Sequence, residues 1–267
     1  MPEILNESML THSGTYYKDR RAGCFQQAVT VPAHTVLPMP SNLSFEASAT
    51  LGVPGLTAAM TLWRWLEVPQ PHTLTLDTAQ SSPDDKYLLI WGGAATTGQY
   101  AIQIARLGGM KTICVASAKT SSLCLSLGAT YVVARDGKSP EEIVAEIRSI
   151  AGDSVTMVVD LVGAETAELC LKAVSQTRNV LFAPLAMMSS KTAVPSNIQV
   201  QTVEMKKFVL EEENAVYAKR LNALVEAELV KVPALDVIEG GLAMVEDALK
   251  RLKSSNRGGR KLVVSVA

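Results

Sequence analysis

Residues Gly92–Gly98 form the stretch of this sequence whose residue types and spacing are best suited to chemistry. They read Gly-Gly-Ala-Ala-Thr-Thr-Gly and separate an apolar run, Tyr87–Trp91, from a segment over 99–107 with the apolar spacing of a helix. Small residues let the backbone approach a pyrophosphate closely, and the first amides of a helix favour an anion. The pattern therefore predicts a phosphate-binding turn in a strand–turn–helix–strand unit.

The motif departs from a full set of three turn glycines. Gly93 suits the tight turn and Gly98 suits close packing of helix on strand, whereas Ala95 and Thr96 stand where further glycines are usual. The Thr96 and Thr97 hydroxyls would compensate by hydrogen bonding to phosphate. An ordinary turn in a sheet without a ligand is the alternative. The predicted cofactor-binding residues of the turn are Gly93, Ala94, Ala95, Thr96, Thr97 and Gly98.

The residues that follow the second strand of the unit, 112–116, indicate which dinucleotide would bind. Sites for NAD usually place an acidic residue there to bind the ribose 2′-hydroxyl. This chain has Ser117-Ala118-Lys119 instead. Ser117 would donate to a 2′-phosphate and Lys119 would offset its charge, which favours NADPH. The alternative is that Ser117 caps the next helix and Lys119 is a solvated surface residue.

Alternating strand and helix patterns continue through the chain and predict an α/β fold, a Rossmann-type doubly wound parallel sheet. Further strands are expected over 131–134, 155–161, 179–183 and 198–203, with helices over 121–127, 140–150, 165–174 and 211–225. Outside this region, the patterns predict a strand over 23–31, helices after Ser44 and over 57–66, an extended piece over 229–232, a helix over 242–252 and a closing strand over 260–266.

Composition limits the function classes. The 267 residues carry a net charge of −1, so no electrostatic signal indicates nucleic acid or an anionic membrane as a partner. Hydrophobic residues make up 48% of the sequence, but they form no continuous run long enough to span a bilayer. Four cysteines without paired spacing suit a reducing compartment. We therefore expect a cytoplasmic protein with a small-molecule substrate.

Several motifs follow one another along nearly the whole chain. They are Gly23–Val29 with Val31–Ala33, Leu43–Leu51, Gly55–Ala58, Gly92–Gly98, and Gly240–Leu242 with Gly259–Val264. The order of these motifs resembles the medium-chain dehydrogenase/reductase superfamily. Within it, the sequence is similar to zinc-independent quinone and enoyl reductases, above all to the stand-alone enoyl reductases of fungal polyketide synthases.

This resemblance implies reduction by NADPH of an activated C=C bond, in an enoyl thioester or in an enone or quinone. Thr57 would then lie near the nicotinamide as the candidate catalytic residue, and Ala183 would present backbone to the same ring. Arg135 would lie over the adenine or its phosphate, and Lys261 would contact phosphate. Solvated surface roles are the alternatives for Arg135 and Lys261. Tyr16, Tyr17 and His34 have little support as general acids, so solvent is expected to supply the proton.

Two departures from the family pattern affect these expectations. Val53 stands where the zinc-dependent branch has a cysteine ligand, and the four-cysteine lobe is absent, so no metal is expected. Family members also have a longer N-terminal part. We therefore expect a dinucleotide-binding domain at 46–230, with 1–45 and 231–267 as a remnant of a GroES-like catalytic domain.

Because part of the catalytic wall would be missing, two other functions stay open. One is a non-redox cyclase or isomerase of a polyketide-derived substrate, and the other is a module that senses NADPH. Partners suggested by the resemblance are a polyketide synthase or its carrier protein. Both a monomer and a homodimer are compatible with the sequence.

Overall fold

The computed structural model describes residues 9–11, 25–26, 28–71, 85–254 and 258–266. The chain divides into two compact units, residues 58–203 and residues 1–57 with 204–267. The strands are β1 (Met9–Thr11), β2 (Val36–Pro38), β3 (Tyr87–Trp91), β4 (Lys111–Ala116), β5 (Tyr131–Ala134), β6 (Val155–Asp160), β7 (Val180–Pro184), β8 (Ile198–Val200), β9 (Leu235–Ile238) and β10 (Lys261–Val264). The α-helices are α1 (Phe45–Ser48), α2 (Leu56–Met60), α3 (Thr96–Leu107), α4 (Ser121–Ser126), α5 (Pro140–Ala151), α6 (Ala164–Ala173), α7 (Lys206–Leu210), α8 (Ala215–Glu226) and α9 (Val245–Ser254).

A six-stranded parallel sheet forms the centre of unit 58–203. Its strand order is β5-β4-β3-β6-β7-β8, which is the order of a dinucleotide-binding sheet and confirms the predicted fold class. Buried residues of α5 and α6, among them Ile147 and Cys170, pack on the face that carries Leu89 and Val115. Helices α3 and α4 contact the same strands, so helices cover both faces. The strand order reverses between β3 and β6.

Local sequence signals set several of the element boundaries. Ser139 and Glu142 form a capping box at the start of α5, with Pro140 at the first helical position. Ser44 caps α1 by accepting a hydrogen bond from the Ala47 amide at 3.2 Å. The helix predicted from residue 57 contains α2 followed by a π-helical segment, Thr61–Trp65. No helix among the described residues is long and apolar enough to cross a membrane.

The unit of residues 1–57 and 204–267 contains two small sheets. Strands β1 and β2 pair antiparallel, and β9 and β10 pair in parallel. Helix α8 holds the loop before α1, because Asn42 donates to the Val225 carbonyl at 3.1 Å and the Ser41 hydroxyl donates to Glu226 at 2.7 Å. The compact units differ from the predicted domains, since residues 46–57 and 204–230 group with the chain ends. The functional division at 46 and 230 stays a prediction.

Some predicted elements outside the large sheet were wrong. Residues 28–31 of the predicted strand over 23–31 form no strand, and the rest of that range is described only at 25–26. The extended piece predicted over 229–232 instead closes the end of α8, where the Leu229 and Val230 amides donate to the Leu224 carbonyl. Helix α7 and strand β9 were not predicted. The helix expected from residue 211 begins as a 3-10 turn, and α8 itself starts at Ala215.

The carboxylate of Asp153 fixes the entry to β6 and gives a pH-dependent prediction. It accepts hydrogen bonds from the Thr177 hydroxyl, the Gln176 amide (2.7 Å) and the Ser175 hydroxyl (2.8 Å), and these lower the pKa of Asp153 to about 2. Because the folded-state pKa is depressed, the stabilisation is present above the ordinary pKa near 3.8 and is lost as the pH falls towards 2.

We therefore expect Asp153→Asn to lower the midpoint of urea unfolding at pH 6 and to have a smaller effect near pH 2. Glu141→Gln, which removes one exposed carboxylate in α5, serves as the control and should leave the pH profile as in wild type. An Asp153→Asn profile parallel to that of wild type from pH 6 to pH 2 would contradict this role.

Candidate functional site

The turn between β3 and α3 packs tightly beneath the start of the helix. The Gly92 and Gly93 amides both donate to the Val115 carbonyl, at 2.9 and 3.1 Å, which anchors the turn to β4. Gly92 has a φ of +91°, and the Ala95 amide closes the turn by donating to the Gly92 carbonyl at 2.9 Å. The backbone therefore follows a path that only a glycine adopts without strain at position 92.

Gly98 lets α3 approach this turn more closely than any side chain would permit. A Cβ atom at residue 98 would lie 2.5 Å from the Gly92 oxygen and 2.7 Å from the Gly93 oxygen. A Cβ atom at Gly93 would lie 2.9 Å from the Cys114 Cβ and 3.5 Å from the Cys124 sulfur. The predicted role of Gly98 in helix packing agrees with this geometry. The tight-turn role predicted for Gly93 belongs to Gly92, which has the positive φ, whereas Gly93 allows close packing against Cys114.

The first turn of α3 has the features of an anion site. Ala95 is the N-cap residue, and its methyl side chain cannot accept a hydrogen bond from the first helical amides. The Thr96 and Thr97 side chains are half-buried, and their hydroxyls have no hydrogen-bond partner among the described residues. The first amides of a 12-residue helix therefore keep their donor capacity beside two hydroxyls, at the end where the helix dipole favours negative charge.

Parallel register places the other predicted residues of this unit along the same sheet edge. Trp91, at the end of β3, pairs with Val115 and with Asp160, and Ala116 pairs with Ala134. Ser117 and Lys119 follow β4, Arg135 follows β5, and Ala183 lies in β7 beside Val159. This carboxyl edge, at the point where the strand order reverses, is where open α/β sheets bind ligands.

The side chains beyond β4 and β5 are mostly exposed. The Ser117 hydroxyl is 2.8 Å from the Thr120 hydroxyl, so its polar group is engaged within its own turn. It does not cap the following helix with its side chain, contrary to the structural alternative for this residue. Lys119 and Arg135 are exposed, and neither side chain has a hydrogen bond or an ion pair among the described residues. Both cations are therefore available to an anion.

Asp160 at the end of β6 holds the next loop of the edge. Its Oδ1 atom accepts from the Thr166 hydroxyl at 2.8 Å and from the Val162 amide at 3.1 Å, while Oδ2 is buried and has no hydrogen-bond partner among the described residues. Burial raises the pKa of this carboxyl, and the hydrogen bonds oppose that shift. The Asp160 carbonyl also accepts from the Leu185 amide at 2.9 Å, which joins the loops after β6 and β7.

Two residues of this edge were not recognised from the sequence. Val162 is 58% exposed and contacts the space beside Gly92, and Asp136 accepts a hydrogen bond from the Ala118 amide at 2.5 Å. The only sequence signal for Asp136 was its position two residues after a strand that neighbours β4.

Thr57 and Lys261 belong to the unit of residues 1–57 and 204–267, so their roles stay predictions. Tyr16 and Tyr17 lie outside the described residues, and the His34 ring nitrogen Nε2 faces the Phe208 carbonyl at 3.2 Å.

Comparison with known proteins identifies the family. The family model described as zinc-binding dehydrogenase matches residues 96–224. A dehydrogenase of Aspergillus niger is 30% identical over 263 residues, which cover 95% of this chain and 73% of that protein. The chain belongs to the zinc-binding dehydrogenase family, the medium-chain dehydrogenase/reductases. It is an oxidoreductase by this membership.

Other relatives agree with this family membership. A trans-enoyl reductase of Talaromyces variabilis is 26% identical over 93% of this chain and 69% of its own length. The solved structure of the CurK enoyl reductase superposes with a TM-score of 0.72 at 19% identity, over 90% of this chain and 68% of that one. An Escherichia coli quinone oxidoreductase complexed with NADPH gives a TM-score of 0.63 at 23% identity, over 83% and 66% of the respective chains. These two structures support the fold.

The described residues offer no site for the zinc ion in the family's description. No cluster of three or more His, Cys, Asp or Glu side chains occurs among the described residues. Val53, which is 59% exposed, has no atom able to bind a metal.

The contact at Gly98 gives a test of the site that needs no ligand. We expect Gly98→Ala to lower the free energy of unfolding by about 1–3 kcal/mol, because the new methyl group meets backbone oxygens that cannot move independently of β3. Gly163→Ala is the control, since a Cβ atom there meets nothing within 4 Å. Urea unfolding of both variants measures the difference. Equal midpoints for the two variants would contradict the close packing.

Proposed function

We propose that the protein is an NADPH-dependent, zinc-independent reductase of an activated C=C bond, in an enoyl thioester of polyketide type or in an enone or quinone. The single observation that carries this proposal is the turn of Gly92–Gly98, closed against α3 where the strand order of the sheet reverses. This arrangement leaves the first amides of α3 open at the edge where dinucleotides bind. The similarity to relatives that include trans-enoyl reductases supports the reaction class.

The residues after β4 and β5 support NADPH as the dinucleotide. The amides of Thr96, Thr97 and Gly98 would hold the pyrophosphate, with the two threonine hydroxyls donating to its oxygens. Lys119 and Arg135 would flank the 2′-phosphate and offset its charge, and Ser117 would donate to it after releasing Thr120. When bound, NADPH supplies the hydride. The chain's own part is to orient the dinucleotide along the sheet edge.

The loops after β6 and β7 would form the nicotinamide end of the site. Ala183 and the residues after it would present backbone groups there. The hydrogen bond from the Leu185 amide to the Asp160 carbonyl holds the two loops together. The exposed Val162 side chain adds an apolar surface beside the turn. Protonation of the enolate formed by hydride addition requires no strong acid, so water suffices as the proton donor.

A non-redox cyclase or isomerase on the same scaffold is the competing function, and the names of the relatives do not favour it. Thr57 as a catalytic residue near the nicotinamide, delivery of substrate by a polyketide synthase or carrier protein, and a monomeric or homodimeric state stay predictions. A cyclase would transform its substrate without consuming NADPH, which separates the two functions in one assay.

The first test concerns the cofactor. We expect wild-type protein to bind NADPH more tightly than NADH in titration calorimetry, and Lys119→Ala to weaken NADPH binding by about three- to tenfold, since one phosphate contact is lost. NADH binding should change little. Lys172→Ala is the matched control, because Lys172 is an exposed lysine near the C-terminal end of α6. Equal losses in the two variants would contradict a role for Lys119 at the 2′-phosphate.

The second test concerns the reaction. We expect oxidation of NADPH when the protein is mixed with a short α,β-unsaturated thioester, with one saturated thioester formed for each NADPH consumed. Absorbance follows the cofactor and mass spectrometry follows the product. Tight NADPH binding without consumption in a panel of enoyl thioesters, enones and quinones would overturn the reductase proposal.

A further inference from the structure

Asp136 brings a carboxylate to the end of β4, although the residues that directly follow that strand, Ser117-Ala118-Lys119, include no acid. It lies in the loop after β5, whose register with β4 places Ala134 beside Ala116. The Arg135 amide donates to the Ala116 carbonyl at 3.0 Å, which fixes the start of this loop. The Asp136 Oδ2 atom then accepts the hydrogen bond of the Ala118 amide at 2.5 Å.

This hydrogen bond occupies a donor at the centre of the proposed 2′-phosphate site. Ala118 stands between Ser117 and Lys119, and the Ser117 hydroxyl is already paired with Thr120. The backbone amide and the hydroxyl that an incoming phosphate would use are thus both engaged. Asp136 is exposed, and no ion pair neutralises it among the described residues. Its negative charge therefore remains next to the position of the ligand's charge.

We infer that Asp136 is a specificity-determining residue of the cofactor site, which narrows the preference of the protein for NADPH over NADH. The inference rests on the proposed function. A 2′-phosphate must displace the carboxylate from the Ala118 amide or accept its repulsion, whereas the 2′-hydroxyl of NADH can donate to it. Lys119 and Arg135 attract the phosphate, so the preference is set by two cations acting against one anion.

The test is the effect of Asp136→Asn on the two dissociation constants. Asparagine keeps an oxygen that accepts the Ala118 hydrogen bond, so the turn is retained while the charge is removed. We expect the NADPH constant to fall by about two- to fivefold at low salt, the scale of one exposed charge pair. The constant for NADH should stay the same or rise. High salt should reduce the change, because exposed charges are then screened.

Glu141→Gln is the matched control for net charge. Glu141 is exposed in the first turn of α5 at the same sheet edge, and it has no hydrogen bond or ion pair among the described residues. If the effect depends on contact with the Ala118 amide, this variant should leave both constants as in wild type. Asp136→Ala provides a second uncharged variant, and thermal unfolding shows whether each variant is folded.

The outcomes separate this inference from the proposed function. Wild-type protein that binds neither nucleotide overturns the proposed function, and the inference falls with it. The inference alone is overturned if wild-type protein binds NADPH and the Asp136→Asn and Asp136→Ala proteins, both folded, have an unchanged ratio of the NADPH to the NADH dissociation constant. An equal change in Glu141→Gln also overturns it, because the effect would then be one of general charge. A fall in the ratio of the NADPH to the NADH dissociation constant that is confined to the Asp136 variants supports the assignment.

Discussion

The contact between α3 and the turn that precedes it is the constraint on which the rest of the site depends. Because residue 98 has no side chain, the helix starts against the Gly92 and Gly93 carbonyl oxygens. The Val115 carbonyl holds the same two glycines from the neighbouring strand. The helix, the turn, β3 and β4 are thus fixed to one another by backbone atoms, and the direction of the first helical amides follows from that fixation.

Sequence patterns predicted the large sheet well, because most of its strands are largely apolar runs bounded by turn residues. The predicted bounds of β3 and β5 agree with the structure at both ends. Patterns failed for β9, whose four residues include Asp236 and form no continuous apolar run. Strand β9 is short and half-exposed, and its ladder depends on β10, which lies more than twenty residues later in the sequence. A local pattern contains no information about such a partner.

In the candidate site, too, local patterns predicted some residues and missed those that tertiary structure brings together. The turn, Ser117 and Lys119 were predicted because each follows directly on a strand with a recognisable pattern. Asp136 was missed because its relevance arises from the register between two strands, which brings a loop from β5 onto an amide after β4. The unpartnered Oδ2 atom of Asp160 was likewise beyond prediction, since burial of a single oxygen depends on packing from several elements at once.

Cys114 and Cys124 lie next to Gly93, so the reactivity of their thiols depends on how tightly the turn is packed. Cys114 and Cys124 are buried, and burial raises the pKa of Cys114 well above its usual value and that of Cys124 to about 11. Thiols in this state react slowly with alkylating reagents, which attack the thiolate and need access to it. Their rate of alkylation thus measures how often the floor of the turn opens, a local motion that differs from global unfolding in its free energy. The alkylation rate therefore reports the local stability of the Gly92–Gly98 turn.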